Sequence, residues 1–501
     1  MTRPVNIYFL SRIQQEEAFR VVFRHHSGGR EIYRTQYHEI KSLKLLSDEL
    51  IRAGARPEDL DGFFFSFHIP YIGKEFDLLK FTDKLCLNIE LKSTAVPEQQ
   101  VLEQLVKNRH YLGHLGKRLL LYTVVTDTMT CYKLSLGDEL IKVGFDEVAS
   151  AVQKVRKNHS DTIDDLFRAS DYLVSPFNTP DRFIQGEYFL TQAQDMVKKC
   201  IINDADSSET GNFFHLTGKP GTGKTLLLYD LAKTFSKNGK TLIVHCGLLS
   251  KGQYKIREEM DQLDIIPVSD MLINGFSLEE YSYILVDEAH RMYSGQFETI
   301  CDSVRKRDQV CVFSSDPEQM LSYTEEQNGI TEKIRAIPEV KEYALSEKIR
   351  TNRGLQAFIM CVRNLSHKAK AQIDCTGVEL NYANSTKEAQ SMVEYYRSKG
   401  YVFINYSGAT EGESPYAAYE EDFDTHHVIG QEYDKVVMLM DPSFYYDEDG
   451  VLQGIPHPDP DYRYPNLFYQ GITRVRENLA LIVVQAPELF HKIVSIVKPE
   501  E

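Results

Sequence analysis

An octapeptide, GKPGTGKT, begins at residue 218 and constrains this chain more than any other feature, because it matches G-x-x-x-x-G-K-[ST] at every defined position. An apolar run precedes it and a helix-like segment follows, which is the context of a phosphate-binding loop. Glycines let backbone N–H groups turn onto a polyphosphate, at the positive end of the new helix. Lys224 adds a charge at the β- and γ-phosphates, and Thr225 offers a hydroxyl to Mg²⁺. The loop therefore predicts a site for ATP and Mg²⁺, with glycines at Gly218, Gly221 and Gly223.

Two acidic residues follow a second apolar segment, YILV, farther along the chain. A carboxylate at the end of a buried strand, beyond a phosphate-binding loop, is placed to hold Mg²⁺, and the next acid can polarise the attacking water. We therefore assign Asp287 to the metal and Glu288 to the base. A further strand at residues 310–313 leads into SSDPEQ, where Gln319 could sense the γ-phosphate because its amide both donates and accepts hydrogen bonds.

The length and charge of the chain indicate several domains. The 501 residues, 42% of them hydrophobic, can form two or three cores, since domains typically run ~100–200 residues. We expect domains at residues 1–158, 187–344 and 345–501, with a linker at 159–186. The net charge of −16 is uneven, since residues 1–170 carry +1 and the remainder −17. The N-terminal third thus accepts a nucleic acid most readily, through a localised groove rather than a basic tail.

The cysteines and the hydropathy exclude several other classes of protein. The eight cysteines are scattered without a C-x-x-C pair, and no histidine cluster has metal-ligand spacing, which argues against a zinc site and a disulfide framework. The N-terminus lacks the apolar core of a signal peptide, and no apolar run approaches the ~20 residues of a membrane span. We expect a soluble, cytoplasmic protein with no membrane partner.

The first 158 residues have their own pattern of helices and strands. Strand-like runs occur at residues 63–69, 76–81, 85–91 and 119–125, and a helix that Pro97 can open lies between the third run and the fourth. The pattern predicts a small α/β domain with its own core.

The second chemical signal lies in this domain. Asp77 is expected at the end of one strand or just after it, while Glu90 and Lys92 lie two apart on the next strand and so share a face. Two carboxylates on neighbouring strands can hold Mg²⁺ or Mn²⁺, and an ammonium beside them can steady a phosphoryl oxyanion. Glu75 shares the face of Asp77 and is a candidate further ligand. The competing interpretation is a half-buried strand pair with exposed charges, which is common in antiparallel sheets.

This arrangement resembles the motif of PD-(D/E)XK nucleases, in particular the form found in NERD-type nuclease-related domains. The proline–aspartate half of the motif is Phe76-Asp77 in this sequence. Gln104, on the following helix, resembles the helix glutamine of such nucleases. The resemblance implies a nuclease-like domain that cleaves phosphodiesters with Mg²⁺ or Mn²⁺.

The order of the phosphate-binding loop, VDEAH and SSDPEQ resembles a superfamily 1 helicase, and the compact form is similar to the Schlafen group 3-like DNA/RNA helicase domain. In helicases a glutamine just before the loop contacts adenine, and Gln194 fits that position, although an exposed glutamine at a helix start is the competing interpretation. Three later segments, at residues 345–351, 425–434 and 469–476, resemble motifs IV, V and VI of such helicases. They imply two arginine fingers, Arg350 and Arg474, and a nucleotide-contacting loop with Gly430 and Glu432, where glycine and glutamine are exchanged relative to many relatives.

Together these signals predict an α/β protein in which a PD-(D/E)XK nuclease-like domain precedes two RecA-like parallel-sheet lobes. We expect an ATP-dependent nuclease-helicase that acts on nucleic acid, with DNA favoured over RNA; self-association and a partner protein stay open. The resemblance alone implies a role in prokaryotic antiviral defence or DNA repair. The alternatives are a nucleotide-gated scaffold that holds nucleic acid or a partner without cutting, and a motor whose nuclease fold is vestigial.

Overall fold

The computed structural model describes residues 2–27, 34–69, 74–155, 163–167, 174–207, 212–273, 276–338, 340–345, 353–370, 375–407, 416–456, 459 and 461–497. The chain folds into two compact units, Met1–Tyr172 and Leu173–Glu501. Within these described ranges, no helix combines the length and the apolar composition that crossing a membrane requires.

The first unit is built on one six-stranded sheet. Its elements are α1 (Ile7–Leu10), α2 (Glu16–His26), α3 (Arg34–Arg52), β1 (Phe64–His68), β2 (Glu75–Phe81), β3 (Leu85–Lys92), α4 (Glu98–Gly113), β4 (Arg118–Val125), β5 (Thr130–Leu134), β6 (Leu140–Val143), α5 (Phe145–Lys154) and α6 (Ile163–Leu166). The strands lie side by side in chain order. All neighbours are antiparallel except β3 and β4, which α4 connects as a parallel pair.

Helix α4 shows how the sequence shapes this unit. Pro97 stands at its N-terminus, where a missing N–H costs nothing. Val101, Leu105, Asn108 and Leu112 recur at helical spacing and form its buried face. The predicted helix is therefore confirmed. Leu78 of β2 joins a core with α1, α2, α3 and α5, together with Leu87, Ile89 and Leu91 of β3.

The four predicted strands of this unit are confirmed as β1 to β4, but the position of one residue is corrected. Asp77 was expected at the end of a strand or after it, whereas it is the third residue of β2. Strands β5 and β6 were not predicted. They are short, and β6 lies at the sheet edge with half-exposed side chains, so neither gives a strong hydrophobic alternation.

The second unit begins with a parallel α/β lobe. Its elements are α7 (Pro180–Gln185), α8 (Gln192–Ala205), β7 (Phe213–Gly218), α9 (Lys224–Phe235), β8 (Thr241–His245), α10 (Lys251–Glu259), β9 (Leu263–Pro267), β10 (Tyr283–Asp287), α11 (Ser294–Arg307), β11 (Val310–Ser315), α12 (Tyr323–Asn328), α13 (Ile330–Arg335) and β12 (Lys341–Leu345). The sheet order is β12-β7-β11-β10-β8-β9, and every pair is parallel. The strands therefore end at one common edge.

A second parallel lobe follows. Its elements are α14 (Arg353–Arg363), β13 (Val378–Ala383), α15 (Thr386–Ser398), β14 (Val402–Asn405), β15 (Phe423–Asp424), β16 (Tyr433–Met440), β17 (Phe444–Tyr446), β18 (Leu452–Gly454), α16 (Tyr464–Ile472), β19 (Val475–Val484) and α17 (Pro487–Val497). The main sheet has the order β13-β19-β16-β14-β15 with parallel pairs, and β17 and β18 form a separate antiparallel hairpin.

The predicted linker at 159–186 is corrected in its second half. Residues 174–179, which we call the strap, and the helix α7 belong to the first lobe, because Val174, Phe177 and Phe183 are buried in its core. The abundance of serine, proline and asparagine in this stretch suggested a linker, but its few apolar residues all point inward.

The packing of the strap generates a prediction. Gly252 and Gly295 both hold the second position of a helix, so alanine gains up to about 1 kcal/mol of helix propensity at either. A Cβ at Gly252 would lie 2.0 Å from the carbonyl oxygen of Phe177, whereas one at Gly295 meets nothing within 4 Å. We expect Gly252→Ala to destabilise the protein by ~1–3 kcal/mol through overpacking, and Gly295→Ala to leave Tm unchanged or slightly raised in calorimetry. Equal Tm values would show that the strap does not pack on α10.

Candidate active sites

The phosphate-binding loop joins β7 to α9 and takes a backbone shape that only glycine adopts readily. Gly221 and Gly223 have φ angles of 78° and 80°. A Cβ at Gly218 would lie 2.7 Å from Thr222 Oγ1 and 2.8 Å from Leu345 O. Each glycine of the motif thus meets a separate steric requirement.

The side chain of Lys224 folds back onto this loop. Its Nζ donates to Gly218 O at 2.6 Å and to Lys219 O at 3.2 Å, and it pairs with Asp316 Oδ2 at 3.1 Å. Burial opposes ionisation of Asp316, but Lys224 and a hydrogen bond from Gln319 outweigh it and hold the pKa of that carboxyl below its ordinary value. The loop lysine is therefore neutralised by an acid at the end of β11.

Thr225 and Asp287 come together beside the loop. Thr225 Oγ1 lies 3.5 Å from Asp287 Oδ1, at the carboxyl end of β10. Asp287 Oδ2 lies 3.4 Å from His245 Nδ1 but makes no hydrogen bond to a described residue. Burial raises the pKa of Asp287. A hydroxyl and a carboxylate with a buried, unsatisfied oxygen are a donor set that fits Mg²⁺.

Glu288 follows Asp287 in a left-handed backbone conformation, with φ of 58°. Its side chain is buried, and its Oε2 lies 3.6 Å from His290 Nε2 without a hydrogen bond to any residue that the structure describes. A strained conformation for a glutamate is a feature of functional sites. The placement at the strand end agrees with a residue that orients water.

Gln194 lies beside the loop, but its geometry does not support a contact with adenine. Its Nε2 donates to Thr222 O at 3.1 Å and Gly223 O at 3.3 Å, and its Oε1 accepts from Thr191 N at 2.8 Å. Both ends of the amide are thus committed to backbone groups. The residue caps α8 and braces the phosphate-binding loop.

Gln319 connects the two lobes. Its Nε2 donates to Asp316 Oδ2 at 2.7 Å, and its Oε1 accepts from Arg474 Nη2. Arg474 follows α16 of the second lobe and is buried, which lowers its pKa. Arg474 therefore reaches the first lobe, and a continuous polar chain runs from it to Lys224. The other expected arginine finger, Arg350, lies outside the described residues.

Gly430 and Glu432 meet the strap rather than the phosphate-binding loop. Gly430 has φ of 73°, and a Cβ there would lie 2.2 Å from the ring of Phe177. Asn178 Nδ2 donates to Glu432 O at 2.6 Å, and Glu432 N lies 3.4 Å from Asn178 Oδ1. Sequence reasoning missed Phe177 and Asn178 because it treated their segment as a linker.

The second candidate site lies in the first unit. The register that pairs Leu78 with Ile89 sets Asp77 opposite Glu90 on the face covered by α4. Asp77 Oδ2 accepts from Leu91 N at 2.7 Å. The two carboxylates that the sequence singled out are thus neighbours across the strand pair.

Amide groups surround Glu90, which is buried. Gln104 donates to its Oε2 at 2.6 Å, and Asn108 and Asn88 donate to its Oε1 at 2.8 Å and 3.0 Å. Gln104 thus contacts the predicted site, and the two asparagines are residues that sequence reasoning missed. Asn108 could have been found, because a polar residue interrupts the apolar face of α4.

Lysines complete this site. Lys92 lies two residues beyond Glu90 and so shares its face. Lys74 Nζ lies 3.9 Å from Glu90 Oε1, and burial lowers the pKa of Lys74 against the attraction of Glu90 and Asp77. Lys74 was not identified from the sequence. Its only signal was its position three residues before Asp77.

The fit of this site to a metal ion rests on two carboxylates. Glu75 is engaged by Ser66 and by His68, whose Nε2 lies 3.3 Å away, so it turns to β1 rather than to Asp77. In the part of the chain that the structure describes, no three His, Cys, Asp or Glu side chains converge as a metal centre. Asp77 and Glu90 are therefore the two carboxylates available to a divalent ion. To bind it, Glu90 would give up one of its hydrogen bonds from an amide.

One family model matches part of the second unit. Residues 212–403 match the family model of the Schlafen group 3, DNA/RNA helicase domain. This segment is therefore similar to that helicase domain. The match contains the phosphate-binding loop, Asp287 and Gln319, but it ends before Arg474 and does not include the first unit.

A curated relative matches a shorter stretch. The DNA repair protein RadA of Campylobacter jejuni subsp. jejuni serotype O:2 is 29% identical over 103 residues, or 19% of this chain and 23% of that protein. The match thus spans less than a quarter of the relative's own length.

Solved helicase structures align with this chain at low similarity. Pif1 helicases in a study of forked double-stranded DNA align over 62% of this chain and 95% of theirs, with a TM-score of 0.33 and 13% identity. The Bacteroides Pif1 helicase with ADP-AlF3 and single-stranded DNA gives the same coverages and identity at a TM-score of 0.34. Arterivirus nonstructural protein 10, a helicase, aligns over 62% of this chain and 67% of its own, with a TM-score of 0.32 and 11% identity.

The bracing role of Gln194 gives a testable prediction. Gln194→Ala removes hydrogen bonds to the loop backbone, so we expect weaker binding of ATP and GTP by the same factor, about three- to tenfold, in titrations with fluorescent nucleotides. Gln192→Ala, exposed on the same helix, is the matched control and should bind as the wild type does. Loss of ATP binding with GTP binding unaffected would instead assign Gln194 to the base.

Proposed function

We propose that the second unit is an ATP-driven motor that moves along or remodels nucleic acid. The observation that carries this proposal is the reach of Arg474 from the second lobe to Gln319 in the first, next to the counter-ion of the loop lysine. An arginine supplied by another lobe stabilises transferring phosphate only when the cleft closes, so hydrolysis is tied to lobe movement.

The residues of the site have distinct tasks in this proposal. The loop N–H groups and Lys224 bind the phosphates, and Thr225 and Asp287 would hold Mg²⁺, which would supply positive charge to the phosphates. Glu288 orients the attacking water and takes its proton. Arg474 offsets the charge that develops in the transition state, and Arg350 is assigned the same task from its motif alone.

Nucleic acid is the proposed partner of this motor. The matched family is a DNA/RNA helicase domain, and a strand that contacts both lobes would be gripped alternately as the cleft opens and closes. We propose DNA as the preferred polymer. The second unit is acidic, so these contacts must come from a localised groove rather than from net charge.

A substitution in the loop tests this function. We expect Lys224→Ala to lower nucleic-acid-stimulated ATP hydrolysis by about 10²–10³-fold, because the charge at the β- and γ-phosphates is lost. Lys219→Ala is the matched control: it lies in the same loop but is exposed and pairs with Glu318, and it should keep most of the activity. An assay of phosphate release with and without single-stranded DNA or RNA measures both, and full activity of Lys224→Ala would reject the site.

We propose metal-dependent phosphodiester cleavage as the function of the first unit. The observation in its favour is the register that sets Asp77 opposite Glu90, with Lys92 on the same face. A divalent ion held by the two carboxylates would activate a water, and Lys92 would stabilise the phosphoryl oxyanion. The competing function is a scaffold that binds nucleic acid without cutting it. The hydrogen bonds that side-chain amides donate to both oxygens of Glu90 are compatible with this function.

Cleavage assays separate these two functions. We expect Asp77→Asn and Lys92→Ala each to reduce Mg²⁺- or Mn²⁺-dependent cleavage of labelled DNA by at least about 100-fold. Glu103→Gln is the control, because this exposed acid precedes Gln104 on α4 and its carboxylate accepts a hydrogen bond from Gln99 rather than from the site. Retained binding with no cleavage by the wild type in either metal would establish the scaffold.

A further inference from the structure

The strap begins the second unit and lies between its two lobes. On the first lobe, the ring of Phe177 packs edge-on against Tyr229 and His245, with centroid distances of 5.2 Å and 5.6 Å. Its backbone lies against Gly252, where only a glycine leaves room. The strap is therefore anchored in the lobe that carries the phosphate-binding loop.

The same segment contacts the second lobe through an amide of fixed orientation. Asn178 Oδ1 accepts from Ser175 Oγ at 2.9 Å, and this leaves Nδ2 directed at Glu432 O, 2.6 Å away. Glu432 N donates a longer hydrogen bond to Asn178 Oδ1, at 3.4 Å. One side chain thus bonds both backbone groups of a single residue in the opposite lobe.

This contact is also close to the metal-side carboxylate. The ring of Phe177 packs against His245, and His245 Nδ1 lies 3.4 Å from Asp287 Oδ2. The Phe177 ring also lies against Gly430, two residues before Glu432. Movement of the loop at 430–432 therefore acts on a ring that touches a neighbour of Asp287.

We propose that Asn178 is a positioning residue that ties the loop at 430–432 to the first lobe and so couples nucleic-acid binding to ATP hydrolysis. This inference rests on the proposed motor function and adds the element that links its lobes. The side-chain amide of Asn178 forms hydrogen bonds with the backbone of the second lobe and not with a side chain. The link therefore holds the loop itself and depends on no particular residue at position 432.

The test compares turnover with and without a single-stranded oligothymidylate for the full chain. We expect Asn178→Ala to lower the ratio of stimulated to unstimulated kcat by about five- to tenfold, with less than a twofold change in Kd for a non-hydrolysable ATP analogue. Asn178→Asp keeps the acceptor but places a carboxylate against Glu432 O, so it should lower the ratio at least as far. Asn238→Ala, an exposed asparagine of the first lobe, should leave it unchanged.

The outcomes separate the inference from the function on which it rests. A purely structural role for Asn178 would lower Tm and both rates in parallel, leaving the ratio unchanged, and this result would overturn the inference alone. If the wild type shows no stimulation by single- or double-stranded DNA or RNA, the motor function fails and the inference with it. Should Asn178→Ala not fold, Ser175→Ala removes only the hydroxyl that orients the amide, and it is expected to lower the same ratio by a smaller factor; an unchanged ratio there would also overturn the inference.

Discussion

The burial of the Lys224 charge is the constraint on which the rest of the nucleotide site depends. A buried ammonium is costly unless every proton finds an acceptor and the charge is paired. Here the three acceptors are two loop carbonyls and Asp316. Asp316 in turn is held by Gln319, and Gln319 holds Arg474. The shape of the loop, the turn after β11 and the second lobe are thus joined by one electrostatic requirement.

Parallel sheets bring these residues together. β11 lies between β7 and β10, and all three strands run in the same direction, so the segments after them meet at one edge. Gly218, Asp287 and Asp316 are neighbours for this reason, although they are far apart in the sequence. β8 borders β10 and adds His245 beside Asp287. The same arrangement places the phosphate-binding loop, Asp287 and the turn that holds Gln319 at the carboxyl ends of neighbouring strands.

The sequence predicted the local parts of this site and missed the contacts between distant parts. The loop, its strand and its helix follow from a short motif, since glycine geometry and helix polarity are properties of neighbouring residues. The partner of Lys224 depends on strand order, which no local pattern reveals. Gln194 was predicted to contact adenine, and that role stays a prediction. The structure bonds its amide to backbone groups, as the capping-box signature T-x-x-Q at residues 191–194 already indicated.

The strap shows a different limit of sequence reasoning. Serine, proline and asparagine dominate the stretch, and composition of that kind is typical of linkers. Phe177 is a single aromatic residue without a periodic partner, so no window of hydrophobicity marks it. Its burial depends on glycines at 252 and 430, which are distant in the sequence and belong to opposite lobes. The contact consists of one aromatic ring and two glycines, and this combination produces no periodic pattern in the sequence.

The carboxylates of the two candidate sites have different partners, and the kind of partner affects what each site can bind. Asp316 is paired with a full positive charge, so its own charge is cancelled within the first lobe. Glu90 is held mainly by three amides, which orient a carboxylate without neutralising it, and its contact with Lys74 is longer at 3.9 Å. The negative charge of Glu90 therefore remains directed into the face it shares with Asp77. In the proposed nuclease, such a site would attract a cation, and Lys92 on the same face would leave a separate place for the phosphate.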